Sequence, residues 1–181
     1  MKASFAIAQD RFVVSSFQRD TEGHDLVSPK LEKGPDLFCD AVESLQKQRG
    51  DVQVLLGGWR RQYIINRLSQ TIGTDRIRYV ELPDQPTVRD MYAATDLYIV
   101  AARCEGGPQA IVECALTKTP IISTNVGVAS YVLSPESIGE VGSDLTVLRP
   151  NVDSAYQNVQ KFCLPYGMIG FRNMLNNLVK S

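Results

Sequence analysis

The feature that most constrains the fold is an apolar run followed directly by a glycine-containing turn and a helical segment. Residues 97–102 (LYIVAA) are all apolar apart from one tyrosine, the pattern of a strand buried on both faces. The stretch EGGPQAIVE follows at 105–113, and Pro108 is predicted at the first position of a helix. Gly106 and Gly107 carry no side-chain bulk, so a ligand could approach the backbone of this turn closely.

A helix that starts here would present free backbone donors at the positive end of its dipole. The N–H groups of Gly107, Gln109 and Ala110 are predicted to point outward, which suits an oxyanion or a sugar hydroxyl. Glu105 stands at the mouth of this turn, and Glu113 lies about two helical turns along. The local pattern is also compatible with a plain strand, turn and helix that carries two solvated glutamates.

Further apolar runs alternate with amphipathic segments along the chain. A helix is predicted from Pro35 to Arg49, and Gly57-Gly58 is predicted as a turn. Helical segments of about ten residues between strands predict one α/β domain with a Rossmann-like, doubly wound parallel sheet. We expect this domain to span 1–181, with a core at about 11–150 and C-terminal helices at 153–180. Strands are predicted at 12–17, 52–56, 77–82, 97–102 and 120–124, with a last short one at 145–148.

Composition and charge narrow the class of partner. The 19 basic and 20 acidic residues leave a net charge of −1, which argues against nucleic-acid binding, and no apolar run is long enough to span a membrane. One histidine, His24, is predicted in an exposed loop, so a zinc site is not expected. The four cysteines form no C-x-x-C pair, and we expect a reducing, cytoplasmic setting without disulfides.

The segment 97–127 resembles the donor-sugar site of the retaining glycosyltransferases of family 4, which have the GT-B fold. Those enzymes carry two glutamates separated by seven residues, then an alanine-rich helix, a proline, an apolar strand and a Val-Gly turn. Here Glu105 and Glu113 are followed by Pro120 and by Val126-Gly127, in that order and spacing.

The resemblance implies a role for each residue of the motif. Glu105 would face the donor sugar as the candidate catalytic residue, and Glu113 would hold the ribose hydroxyls. The segment around Leu82 would lie against the nucleobase. The substrate-binding residues implied around the motif also include Gly106, Gly107, Pro108 and Gln109.

The same family places a Gly-Arg pair after the first strand and a Lys-Gly pair at the next helix start, as a diphosphate clamp. Arg19 and Lys33-Gly34 occupy those places. The chain departs from the pattern in having Gln18 before the arginine and a longer loop between the pairs. Lys118 stands where many relatives have a glycine at the helix end, so a differently built end is expected.

The resemblance covers roughly residues 11–135, the C-terminal half of a GT-B enzyme. It implies a nucleotide-sugar donor such as a UDP-, GDP- or ADP-sugar, with no metal or other cofactor. The acceptor would be held by an N-terminal domain, through which the enzyme would lie peripherally on a membrane. Two other functions remain open: half of a GT-B-like nucleotide-sugar 2-epimerase, and a flavodoxin-like binding module. The second would need an acidic cluster at the strand ends, which the sequence lacks.

Overall fold

A computed structural model describes residues 1–23, 25 and 27–179 of the chain. The prediction for His24 and the last residue of the predicted C-terminal helices, Lys180, lie outside this described part.

Six parallel strands form one sheet in the order β3-β2-β1-β4-β5-β6. This is the strand order of a Rossmann-like, doubly wound sheet, so the predicted fold class is confirmed. The strands are β1 (Phe12–Ser16), β2 (Val52–Gly58), β3 (Ile77–Glu81), β4 (Leu97–Val100), β5 (Ile121–Thr124) and β6 (Ile138–Gly139).

Helices cover both faces of the sheet. Helices α1 and α2 pack on one face, and α3, α4, α5 and α6 pack on the other. No helix in the described part combines the length and apolar character needed to cross a bilayer. The helices are α1 (Pro35–Arg49), α2 (Gln62–Thr71), α3 (Gln85–Ala94), α4 (Gln109–Thr117), α5 (Ala129–Val132), α6 (Val152–Val159) and α7 (Ile169–Val179).

The central strands are apolar on both sides because both of their faces are buried. In β4, Leu97 and Ile99 join the core beneath α1 and α2, whereas Tyr98 and Val100 join the core beneath α3 and α4. Successive side chains of a strand point to opposite faces, so a strand between two helical layers needs an uninterrupted apolar run. This requirement explains why the run at 97–102 was the clearest strand signal in the sequence.

Two predictions about the elements of the sheet are wrong. Gly57-Gly58 is not a turn but the end of β2, where the two glycines pair with Val80 and Glu81 of β3. The predicted strand at 145–148 is instead a 3₁₀ turn, Leu145–Val147, whose N-terminus is capped by the side chain of Asp144. The sixth strand is Ile138–Gly139, which is too short to show a periodic pattern.

Helix α4 begins and ends differently from the sequence prediction. Pro108 is not the first helical residue but the residue before it, because its ψ of 110° is extended. At the other end, Lys118 takes the left-handed conformation, with φ 56° and ψ 32°, that glycine commonly supplies at a helix end. The helix therefore ends with ordinary geometry, although a lysine replaces the glycine of the family pattern.

The pairing of β1 places the topological switch point of the sheet between β1 and β4. Strand β1 pairs with β2 on one side and with β4 on the other, so the strand order reverses there. In doubly wound sheets, ligands bind in the crevice outside the carboxyl ends of the strands at this point. The loops after β1 and β4 are therefore the place to look for a site.

Candidate ligand-binding cleft

A cleft of about 520 Å³ lies at the carboxyl ends of β1 and β4. Several loops, the helices α3 and α4 and the strands β2 and β4 contribute to its lining, and most of the sequence-predicted site residues are among the lining residues. Arg19 and Gly106 are not lining residues. The predicted residues that the structure brings together in the cleft are Lys33, Leu82, Glu105, Gly107, Pro108, Gln109 and Glu113.

The loop that carries Lys33 is pressed against the end of β4. Gly34 has a φ of +63°, and a Cβ at this position would lie 1.8 Å from the carbonyl oxygen of Ala101. The backbone N–H groups of Arg103 and Cys104 both donate to the carbonyl oxygen of Glu32, at 2.8 and 3.2 Å. This close contact fixes the position from which Lys33 reaches the cleft.

Lys33 and Glu105 form an ion pair at the cleft wall. Their side chains are 25% and 20% exposed, so both groups remain accessible to a ligand. The pair places one positive and one negative group side by side, although 72 positions separate them in the sequence. A ligand with an anionic and a hydroxyl-bearing part would meet both charges.

The turn before α4 rests on the turn after β5. Gly127 has a φ of +53°, and a Cβ there would lie 2.8 Å from Pro108 Cδ and 2.9 Å from the carbonyl group of Gly106. By contrast, a Cβ on Gly106 or Gly107 would have no atom within 4 Å. The turn is thus supported from behind, and its glycines face open space.

Backbone donors at the start of α4 are available to a ligand. Within the described residues, no side chain caps this helix N-terminus, which lies against the cleft through Pro108, Gln109 and Ala110. The first N–H groups of a helix need partners from outside the helix and favour negative charge. The helix start therefore suits an oxyanion, and binding of an oxyanion there remains a prediction.

Glu113 is held by a tyrosine that the sequence analysis did not place in the site. The hydroxyl of Tyr92 donates to Glu113 Oε2 at 2.6 Å. Burial raises the pKa of Tyr92, so the hydroxyl keeps its proton and remains a donor. The ring of Tyr92 packs against Phe17 and Tyr98, which also line the cleft. One signal was present: a tyrosine on the apolar face of a helix needs a polar partner for its hydroxyl.

Leu82 forms an apolar platform at the other end of the cleft. Its φ of +45° is unusual for a residue other than glycine, and its side chain is 68% exposed. The backbone N–H of Leu82 donates to the carbonyl oxygen of Gly58 at 3.3 Å, and Asp84 caps the following helix α3. Leu82 therefore combines a strained backbone with an exposed apolar side chain at this point of the cleft.

Arg19 lies beside the cleft rather than in its wall. Its guanidinium group is 5.7 Å from the centre of the Trp59 ring, and its Nε donates to the carbonyl oxygen of Thr21 at 2.8 Å. Arg60 lies over the same ring at 4.1 Å. A diphosphate role for Arg19 remains a prediction, and it would require the side chain to leave Trp59.

A fully buried arginine ties together the strand ends beneath the cleft. Arg61 donates to the carbonyl oxygens of Ser16 and Gly57 at 2.6 and 2.7 Å, and to the carboxylate of Asp20 at 3.1 Å. Burial raises the pKa of Asp20, and the Arg61 charge opposes that shift. The sequence shows two adjacent arginines, and nothing in it distinguishes the fully buried Arg61 from the half-buried Arg60.

The cleft combines groups suited to different parts of one elongated polar ligand. Lys33 and the α4 N-terminus offer positive charge, Glu105 and Glu113 offer hydrogen-bond acceptors, and Leu82 offers an apolar surface. In the described part of the chain, no group of three His, Cys, Asp or Glu side chains is placed to hold a metal ion.

Comparison with known proteins identifies the family. The sequence profile described as "Glycosyl transferases group 1" matches residues 26–164, most of the chain. No curated protein sequence gives a significant match. Among solved structures, the chain is similar to a glycosyltransferase from Rickettsia africae, with TM-score 0.74 and 17% identity over 99% of this chain and 51% of that one.

Two further similar structures are longer enzymes as well. The sucrose-phosphate synthase of Thermosynechococcus elongatus gives TM-score 0.71 and 18% identity over 99% of this chain and 47% of that one. The pneumococcal O-GlcNAc transferase GtfA, solved with UDP and GlcNAc, gives TM-score 0.71 and 15% identity over 96% and 37%. The chain thus spans about half or less of these structures, and its fold is the Rossmann-like half of a GT-B fold. By the extent of the profile match, the chain belongs to the group 1 glycosyl transferases.

Proposed function

We propose that this domain binds the nucleoside-diphosphate-sugar donor of a retaining, family 4 glycosyltransferase, as the C-terminal half of the GT-B fold. One observation carries the proposal. Lys33, which is distant in sequence, lines a single cleft with Glu105 and Glu113 at the topological switch point of the sheet, in a chain of the glycosyl transferases group 1 family. Their chemistry matches the three polar parts of such a donor: the diphosphate, the ribose and the transferred sugar.

The diphosphate is assigned to the positive side of the cleft. Lys33 and the free N–H groups at the start of α4 supply charge-assisted donors to phosphate oxygens. Arg19 would join them by leaving the Trp59 ring. We propose that these groups neutralise the diphosphate without a divalent cation or other cofactor.

The two glutamates are assigned to the two sugars of the donor. Glu113 lies nearer the aromatic wall of the cleft and would accept hydrogen bonds from the ribose hydroxyls. Glu105, beside Lys33 and the turn of Gly107, would face the transferred sugar as the candidate catalytic group. The nucleobase would then lie against Leu82, whose exposed side chain offers an apolar surface to a flat ring.

Sugar transfer is proposed to require a second lobe that holds the acceptor. Solved structures with this fold are about two to three times the length that this chain matches. Transfer requires an oriented acceptor and exclusion of water from the reacting centre. The cleft of this domain supplies groups for the donor, so we assign the acceptor to that other lobe.

A calorimetric titration panel tests the donor site. UDP, GDP and ADP, each free and as a sugar conjugate, are titrated into the 181-residue chain and into Lys33→Ala and Arg19→Ala variants. We expect one base to bind best and each variant to lose about 1.5–3 kcal/mol of binding free energy, the scale of a hydrogen bond to a charged group. Lys47→Ala, which removes an exposed lysine on α1, is the matched control.

Two results would contradict the proposal. The absence of binding by all six ligands would remove the donor-site assignment altogether. Unchanged affinity in both the Lys33→Ala and Arg19→Ala variants, with normal binding by the parent chain, would remove these two residues from the diphosphate site.

A further inference from the structure

Glu113 and Tyr92 are joined by a short hydrogen bond across two helices. Tyr92 lies in α3 and Glu113 in α4, and the phenol hydroxyl donates to Glu113 Oε2 at 2.6 Å. Tyr92 is 3% exposed, so water competes little for this bond. A hydrogen bond to a carboxylate in such surroundings is stronger than a neutral one.

The Tyr92 ring is fixed from several directions. Its centroid is 5.0 Å from that of Phe17 in an edge-on arrangement, and 5.6 Å from that of Tyr98. The Tyr98 hydroxyl in turn accepts a hydrogen bond from the backbone N–H of Phe17 at 2.8 Å. Because Phe17 follows β1 and Tyr98 belongs to β4, the two central strands set where the Tyr92 hydroxyl stands.

The bond leaves one carboxylate oxygen of Glu113 for a ligand. Glu113 lines the cleft, and within the described residues its Oε2 is engaged by Tyr92 while no hydrogen bond reaches its Oε1. A free glutamate side chain samples several rotamers, and fixing one before the ligand arrives lowers the entropic cost of binding. The Glu113 carboxylate is thus preorganised to accept hydrogen bonds from hydroxyl groups of a ligand.

We propose that Tyr92 is a positioning residue, whose hydroxyl holds Glu113 in the orientation that accepts the ribose hydroxyls of the donor. The inference rests on the proposed function, since it assumes that Glu113 meets ribose. The proposal adds Tyr92 to the donor site, although Tyr92 lies outside the motif of Glu105 and Glu113 and affects the ligand only through Glu113. A purely structural role, in which the bond only ties α3 to α4, is the competing explanation.

The experiment compares two ligands in one variant. UDP and 2′,3′-dideoxy-UDP, or the same pair with the preferred base, are titrated into the parent chain and into Tyr92→Phe. The variant removes one hydroxyl and keeps the ring in its aromatic cluster. We expect UDP affinity to fall about tenfold, the scale of one lost hydrogen bond. The dideoxy ligand lacks the hydroxyls that would donate to Glu113, so its affinity for the variant should equal its affinity for the parent chain.

Two controls sharpen the comparison. Tyr131→Phe removes the hydroxyl of an exposed tyrosine on α5 that does not line the cleft, so this variant should bind both ligands as the parent chain does. In a Glu113→Ala background, adding Tyr92→Phe should weaken UDP by less than twofold, because no side-chain oxygen remains at position 113 for the Tyr92 hydroxyl to position. A double-mutant cycle of this kind isolates the coupling between the two residues.

The outcomes separate the inference from the proposed function. Equal losses for UDP and dideoxy-UDP in Tyr92→Phe would overturn the positioning role in favour of a structural one, and no loss for either would overturn it outright. If the parent chain binds both ligands equally well, the assignment of Glu113 to ribose fails. If the parent chain binds no nucleotide, the donor-site proposal falls and the inference falls with it.

Discussion

Four of the glycines around the cleft have two different physical roles. Gly34 and Gly127 have positive φ angles and lie where a Cβ would overlap a neighbouring backbone or proline ring. Gly106 and Gly107 have ordinary backbone angles and face open space. The first pair lets loops approach one another, whereas the second keeps the surface clear for a ligand.

This division predicts opposite effects for two alanine substitutions. Gly127→Ala should lower the free energy of unfolding by about 1–3 kcal/mol, because the new methyl group overlaps Pro108 and the left-handed backbone is strained. Gly107→Ala should change stability by less than about 0.5 kcal/mol and yet weaken donor binding, since its methyl group enters the cleft. Urea unfolding and calorimetry of both variants test this. Donor binding unaffected by Gly107→Ala would show that the ligand does not approach this turn.

Substitutions of the two glutamates are expected to affect the binding of different ligands. Glu113→Gln should weaken the free diphosphate and the sugar conjugate alike, because both contain ribose. Glu105→Gln should weaken only the sugar conjugate, since in the free protein Glu105 pairs with Lys33 and its loss leaves that lysine free for phosphate. Titration of UDP and a UDP-sugar, or the matching pair for the preferred base, measures both effects. A Glu105→Gln variant that binds the free diphosphate as poorly as the conjugate would refute this assignment.

Elements with a long apolar or amphipathic pattern could be predicted from the sequence, and short ones could not. Strands β1 to β5 were found because each presents apolar residues to a covered sheet, whereas β6 has only Ile138 and Gly139. The 3₁₀ turn at Leu145–Val147 has strand-like residues, and the cap from Asp144 decides its conformation. The pattern of apolar residues alone does not decide between a capped turn and a strand when both are only three or four residues long.

The cleft was predictable where a motif occurs within one segment, and not where it depends on tertiary packing. Glu105 and Glu113 belong to one strand–turn–helix unit, and their spacing together with the family resemblance predicted a shared site. Tyr92 reaches Glu113 from a different helix, and its place depends on the packing of Phe17 and Tyr98. The position of Arg19 on Trp59 likewise depends on a contact between two loops.

An ion pair fastens the start of α1 to the loop after β4, next to Glu105. Both guanidinium nitrogens of Arg103 donate to the Asp36 carboxylate, at 2.7 and 2.6 Å. These hydrogen bonds hold the pKa of Asp36 below its ordinary value of 3.8. Because the unfolded chain then takes up the proton first, the pair stabilises the fold fully above that value, and its contribution is lost as pH falls through the lowered pKa.

Asp36→Asn should therefore lower the free energy of unfolding at neutral pH by about 1 kcal/mol, a modest value because both side chains are partly exposed. The difference from the parent chain should shrink as pH falls below 4. Urea unfolding at a series of pH values measures it, with Asp10→Asn at an exposed turn as the control. A difference that persists unchanged into acid would mean that the Asp36 charge contributes nothing.

At the scale of the whole molecule, we propose that the cleft is one wall of a larger active site. Its lining comes from loops, from helices α3 and α4 and from strands β2 and β4 of a single sheet. Positioning of two reactants can supply about 7–11 kcal/mol of barrier lowering, which a single lobe forgoes in large part. The exposed wall also admits water to the donor.

The 181-residue chain by itself is therefore expected to bind its donor but not to transfer the sugar. Incubation with the best-binding donor and a broad acceptor panel should give at most trace hydrolysis, detected as free sugar and nucleoside diphosphate. Activity should appear when a lobe that holds the acceptor is supplied in the same chain or as a separate subunit. Robust transfer by the chain alone would contradict the proposed division between lobes.

The pairing of β1 with β4 also has a meaning for the order of folding. Val14 must meet Leu97 across a long intervening chain, and closing such a loop costs entropy before any contact rewards it. The cleft lies on that seam, because Lys33 and Glu105 come together only when the seam is closed. A nucleotide therefore binds this cleft only after the seam has closed. It should slow unfolding of the domain without accelerating its folding.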